Sequence, residues 1–180
     1  MDGRDACDAA SWTTSSVLRD GTRITIRLLD PATDRQREID FLNSLSERTR
    51  YLRLLTPLKY LPKHMFDQLM DVDGQRRVAF VATVGEGDEE RFVGVARYGV
   101  TDDPESAEVG ITVTDAWQGR GVATRLMQRL EDYARAHGIK TLTGIVLPDN
   151  AQMLDLARRM GFQLKLSSAE RLMKITKPLA

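Results

Sequence analysis

Apolar residues recur along this chain with two different periods, and the changes of period set out a mixed α/β fold. Over 22–28, Ile24, Ile26 and Leu28 alternate with polar positions, the spacing of a half-buried strand. From Asp30-Pro31 the period lengthens, and Ile39, Leu42 and Leu45 return as one face of a helix. Ser46 is placed to cap a second helix carrying Tyr51, Leu52 and Leu55, which stops near Pro57. A third, short helix is expected over 62–70. Arg77–Val84 and Arg91–Val100 then read as a hairpin closed by the acidic, solvated loop 85–90. A turn at 101–105 leads into a strand over 107–113.

The strongest helical pattern follows. Val122, Leu126, Leu130 and Tyr133 share one face, with Ala123, Met127 and Ala134 beside them, and Gly138 ends the run as a C-terminal cap. A strand over 141–147 comes next. A helix capped by Asp149 or Asn150 then turns Met153, Ala157 and Met160 inward and ends at Gly161. Strands over 162–166 and 171–176 close the pattern. Residues 1–20, rich in Ser, Thr, Ala and Asp without period, are expected to form a flexible tail, and 21–180 a single domain. A length of 180 residues agrees with this, since domains average about 150.

Charge and composition narrow the function. Lys and Arg total 26 against 26 Asp and Glu, so there is no surplus of positive charge for a nucleic-acid partner. No apolar run approaches the roughly 20 residues that cross a bilayer, and the N-terminus lacks the form of a secretory signal. A cytoplasmic protein without a membrane partner is therefore expected. Cys7 is the one cysteine, which excludes an internal disulfide. With only His64 and His137 beside it, the usual ligand set of a structural zinc site is missing, and no metal is expected.

The segment with chemical content runs from Val113 to Thr124. A strand ends, a short turn with Gly119 and Gly121 follows, and the amphipathic helix begins. Such a turn leaves main-chain N–H groups free at the positive end of a helix dipole, which suits a phosphate. The two glycines let the main chain approach an anion, and Arg120 can add positive charge. A Rossmann fingerprint would need Gly at Thr124, and a Walker loop would need Gly-Lys before Ser or Thr, so neither fits. A helix entry with no ligand remains the plain alternative.

Gln118-Gly119-Arg120-Gly121-Val122-Ala123 resembles the Gln/Arg-x-x-Gly-x-Gly/Ala signature of the GNAT superfamily of N-acetyltransferases. Asn150 through Arg159-Met160-Gly161-Phe162 resembles its second cofactor segment. The resemblance covers about 22–176. Within the superfamily, the Ser46–Arg53, Val93–Arg97 and Asp115–Gln118 segments look like those of bacterial protein-lysine acetyltransferases. The resemblance implies a mixed, mostly antiparallel central sheet flanked by helices, with two central strands splayed around acetyl-CoA, the acyl-donor cosubstrate. It implies main-chain pairing of the pantetheine arm near Ile111 and Val113. Main-chain N–H groups from Gly119 to Thr124, with Gln118, Arg120, Gly121 and Ala123 among the contacts, would meet the pyrophosphate. Asn150 would touch the pantetheine arm, although a helix cap needs the same residue type.

The resemblance also makes Glu108 the catalytic candidate. An acceptor lysine, with an ordinary pKa of about 10.4, is mostly protonated at neutral pH and needs a base before it can attack a thioester. A solvated strand residue or an ion pair with Arg97 is the plain reading of Glu108. Two departures from the family pattern stand out: Ala157 replaces a tyrosine acid, and Asp115 replaces a common proline. The expected function is acetyl transfer to protein lysines by direct attack. Acetylation of a small amine, or a non-catalytic acyl-CoA-binding module, are the alternatives. The acceptor wall is expected from 42–47 and 167–170.

Overall fold

All seven side chains from Val78 to Val84 are buried, and only Thr83 among them is polar. A run like that belongs to a central strand covered on both faces. The computed structural model describes residues 9–179, so Cys7 and the rest of 1–8 lie outside the described residues. In chain order the strands are β1 (Thr14–Val17), β2 (Arg23–Leu28), β3 (Arg77–Val84), β4 (Arg91–Val100), β5 (Ser106–Val113), β6 (Thr141–Val146), β7 (Gln163–Ser167) and β8 (Leu172–Pro178). The helices are α1 (Arg35–Ser44), α2 (Glu47–Leu54), α3 (Lys63–Met70), α4 (Val122–Ala136) and α5 (Ala151–Arg159).

The strands form one eight-stranded sheet in the order β1-β2-β3-β4-β5-β6-β8-β7. Every neighbouring pair is antiparallel except β5 and β6, which run parallel. This is the mixed, mostly antiparallel fold that the resemblance implied. One face buries Phe41, Leu45, Phe66 and Met70 against Ala79, Val81 and Val95 of the sheet. The other buries Val122, Leu126, Leu130 and Tyr133 of α4 with Leu142, Phe162 and Ile175. The helical period of α4 thus does what its spacing predicts, and the α4 residues just named are its buried ridge.

Three expectations shift. Within the segment expected as a tail, Thr14–Val17 pairs with β2 as an edge strand, Thr14 opposite Ile26 and Val17 opposite Arg23. Val17 is its one large apolar residue, so alternation had nothing to register. Main-chain bonding and α4 hold it instead: Arg125 donates to Ser16 Oγ (2.5 Å) and Val17 O (2.9 Å), and Arg129 to Trp12 O (3.0 Å) and Ser11 O (3.1 Å). Second, α1 begins at Arg35, not at Asp30-Pro31. Asp34 ends the preceding turn with its side chain fully buried, accepting from Arg27 at 2.6 and 2.9 Å and from Asp30 N–H at 2.9 Å. Third, the last two strands run one or two residues later than expected. Ser46 caps α2 as its residue type predicts, accepting from Thr49 N–H at 3.2 Å.

Candidate active site

β5 and β6 stay together for only three residue pairs, Ser106 with Thr141, Ala107 with Leu142 and Glu108 with Thr143. Beyond Glu108 the strands part. β5 remains paired to β4, and β6 to β8, so each keeps one partner and loses the other. Thr114 N–H donates to Val93 O and Thr101 N–H to Ser106 O, both at 2.9 Å. In an antiparallel ladder that makes the even-numbered residues of β5 the ones bonded to β4. Val109 N–H closes the last β5–β6 pair, that of Glu108 with Thr143, so the groups that point into the gap are the N–H and C=O of Ile111 and Val113. Val113 O is taken up there by Gln118 Nε2 at 3.0 Å, while Ile111 keeps both groups for a partner.

At the end of β5 the chain makes a short turn through Asp115–Trp117 and enters α4. Gly119 and Gly121 have φ of 72° and 90°, the left-handed region that a Cβ disfavours. Among the described residues, the N–H groups of Gly119, Arg120 and Gly121 find no main-chain acceptor. The first N–H groups of α4, at Val122, Ala123 and Thr124, are unpaired as in any helix start. These donors converge at the positive end of the α4 dipole, a geometry suited to phosphate oxygens.

The side chain of Arg120 departs from expectation. Its guanidinium donates to Asp20 Oδ2 at 2.8 and 2.5 Å and to Thr22 Oγ1 at 3.0 Å, and it stacks 3.9 Å from the centre of the Trp117 ring. Its charge is committed to Asp20, whose carboxyl the Thr22 main-chain and hydroxyl hydrogen bonds, and then Arg120, hold down at about 2. The Arg120 contribution to the turn is its main-chain N–H. Gln118 is also occupied, bonding Thr49 Oγ1 at 3.3 Å besides Val113 O, so it braces the turn against α2. Asp115, the residue that replaces a common proline of the family pattern, accepts from Thr49 Oγ1 at 3.0 Å and fastens the same junction.

Glu108 stands where the strands begin to part, with its side chain exposed. It lines two cavities that meet at this point. One, of about 390 Å³, lies over β6 and β8 and includes Thr143, Ile145, Lys174 and Glu170. Of the two segments expected as an acceptor wall, 167–170 contributes Ser167 and Glu170 to it, and 42–47 contributes nothing to either cavity. The other, of about 180 Å³, lies under α2 and α3 and includes Arg53, Gln68, Arg97 and Tyr98. The expected alternative, an ion pair between Glu108 and Arg97, is not what forms. Arg97 pairs with the buried Glu38 and donates to Leu69 O at 2.5 Å. The cation whose field reaches Glu108 is Arg53, which the sequence reading passed over. Burial, with Arg97 alongside, pushes the Arg53 guanidinium down to about 10, so it stays charged at neutral pH.

Across the gap, Asn150 caps α5, its Oδ1 accepting from Met153 N–H at 3.2 Å. Ala157 is buried in the core and offers no proton. Among the described residues no group of three or more His, Cys, Asp or Glu is placed to hold a metal ion. No helix among them is long and apolar enough to cross a membrane.

Comparison with known proteins adds to this geometry. The profile described as the acetyltransferase (GNAT) family matches residues 41–162. An acetyltransferase of Pseudomonas aeruginosa is 38% identical over 157 residues, which is 87% of this chain and 83% of the relative. The crystal structure of the GNAT domain of S. lividans PAT superposes with a TM-score of 0.86 at 29% identity, covering 94% of this chain and 98% of that one. A Salmonella typhimurium structure solved with its cofactor acetyl-CoA shares the fold, with a TM-score of 0.67 at 19% identity over 87% of this chain and 94% of that one.

Proposed function

The chain belongs to the acetyltransferase (GNAT) family, and from that premise we propose that it transfers the acetyl group of acetyl-CoA to lysine side chains of proteins, with Glu108 as general base. The observation that carries this reading is the parting of β5 from β6 at Glu108, which sets a carboxylate beside a gap lined by unpaired main-chain groups. The donor's pantetheine arm would pair with Ile111 and with Val113 N–H, and its pyrophosphate with the N–H groups of Gly119 to Thr124. The Asn150 amide nitrogen, left free by the cap, would reach the arm from the other side.

Glu108 takes the proton of the acceptor ammonium, directly or through one water, and the freed amine attacks the thioester carbonyl. Negative charge then grows on the carbonyl oxygen, where a fixed main-chain N–H on the gap side of β5 stabilises it better than mobile water would. The bond from carbon to sulfur breaks as the amide forms. A thiol pKa of about 8.5 makes the thiolate a tolerable leaving group, so the burial of Ala157 where a tyrosine acid is common need not stop the reaction.

The choice of protein lysine over a small amine rests on the likeness to S. lividans PAT and on the open cavity over β6 and β8. Acetyl-lysine mass spectrometry of a bacterial lysate treated with the protein and acetyl-CoA tests it, with CoA release followed in parallel on polyamines and amino acids. New acetyl-lysine sites are the expected result. Release of CoA on small amines alone would move the function to those acceptors. Binding of acetyl-CoA with no transfer to any acceptor would make the chain an acyl-CoA-binding module.

A further inference from the structure

The cavity of about 180 Å³ under α2 and α3 is lined by three arginines, and two of them are satisfied. Arg97 is paired with Glu38. Arg77 reaches Asp71 and Asp73, each at 3.2 Å. Arg53 differs: among the described residues it has no hydrogen-bond or ion-pair partner. It has been given its place by the absence of a side chain opposite. A Cβ on Gly110 would lie 2.5 Å from Arg53 Nη2 and 2.6 Å from its Cζ, so the guanidinium rests flat on the β5 main chain two residues from Glu108. Arg53 is half-buried, and a guanidinium partly withdrawn from water without an acceptor gains when an anion enters the cavity beside it.

We propose that Arg53 is the acceptor-recognition residue of this site, binding a carboxylate that the acceptor carries close to the amine it presents to Glu108. The proposal rests on the acetyl-transfer reading above and names the acceptor's chemistry. A carboxylate matches the planar fork of a guanidinium, which can hold both oxygens at once. The cavity also contains Asp71 and Glu108, whose negative charges oppose a dianion such as phosphate and leave a monoanion as the better guest. The carboxylate can come from an acidic residue beside the target lysine in a polypeptide, or from the acceptor's own α-carboxylate if it is a free amino acid.

The test uses two pairs of acceptors with wild type, Arg53→Gln and Arg53→Lys. In one pair a lysine peptide has Glu or Gln next to the lysine. In the other, lysine has its α-carboxylate free or amidated. Turnover is measured with acetyl-CoA, and acceptor binding to the CoA-loaded protein by calorimetry, so that recognition is read even where transfer fails. The wild type should prefer the carboxylate form in at least one pair by about tenfold in KM or Kd, the worth of one charge-assisted hydrogen bond, with kcat little changed. Arg53→Gln should abolish that preference and Arg53→Lys keep part of it. An intact melting transition and an unchanged acetyl-CoA titration identify folded variants. No preference in either pair, or a preference that survives Arg53→Gln, overturns the proposal while leaving acetyl transfer standing. An Arg53-dependent preference in binding without turnover on any acceptor supports the anion site and overturns the transferase reading instead.

Discussion

Glu108 on β5 and Asp34 in the turn before α1 are both carboxylates, but they answer to different experiments. Replacing Glu108 by Gln keeps the shape of the side chain and removes only its ability to take a proton. Transfer at neutral pH should fall by roughly 10²–10⁴ while acetyl-CoA binding is preserved. Part of the lost rate should return at high pH, as more lysine with its pKa of about 10.4 is already neutral. A folded Glu108→Gln enzyme with undiminished turnover would show that another group is the base. Asp34 has no part in the chemistry. Burial alone would raise its carboxyl, but the hydrogen bonds from Arg27 and Asp30 N–H outweigh it and hold the group below the ordinary range. A depressed pKa in the folded state stabilises the protein above the ordinary aspartate value of about 3.9, and that stabilisation is lost as pH falls through the lower folded value. Asp34→Asn leaves Arg27 short of a buried partner and should cost about 3 kcal/mol at pH 7. Much less of that difference should remain in denaturant melts near pH 2.

Among the elements, α4 is where we propose the donor's pyrophosphate binds, at its first turn, and its entry is conformationally exacting. Gly121 at φ 90° would be strained by any side chain, and a Cβ there would also meet Arg125 Nη1 at 2.9 Å. Gly121→Ala should cost about 1 kcal/mol of stability. Gly121→Asp adds a negative charge where the proposed pyrophosphate would lie and should weaken acetyl-CoA binding well beyond the alanine change. Equal affinities for Gly121→Asp and wild type in calorimetry would place the phosphates somewhere else. α4 was also the most legible element in the sequence, because Val122, Leu126, Leu130 and Tyr133 repeat at helical spacing and all four are buried. β1 was not legible, since Thr14, Ser15 and Ser16 carry no apolar pattern and the strand is held by main-chain bonds and by arginines more than a hundred residues away. The parting of β5 from β6 leaves no mark on either strand's composition. It came only with the family resemblance. Arg53 was passed over because its availability depends on Gly110 beneath it and on Glu38 and Asp71 having satisfied its neighbours, which are facts of packing and not of spacing.

For the molecule as a whole, a donor that binds only the folded chain must shift its unfolding. Acetyl-CoA at about a hundred times its Kd should add about 2.7 kcal/mol. In a chain of this size that is roughly 5–10 °C in Tm. CoA should act similarly, and a pantetheine without the pyrophosphate should act much less, because the turn at Gly119 to Thr124 then has nothing to hold. No shift with either nucleotide, together with no heat in calorimetry, would remove the donor site from this part of the sheet.

The contacts of Ser11, Trp12, Ser16 and Val17 with α4 have a consequence for synthesis. Ser11 meets Arg129 across 118 positions of chain. At roughly 5–20 residues per second on the ribosome, about 6 to 24 s separate the making of the two partners. During that interval β2 can pair with β3, but the segment before it has no helix to lie on. β1 is therefore translated early and docked late. Until α4 has emerged and folded, its edge position leaves it open to a chaperone or to a neighbouring nascent chain.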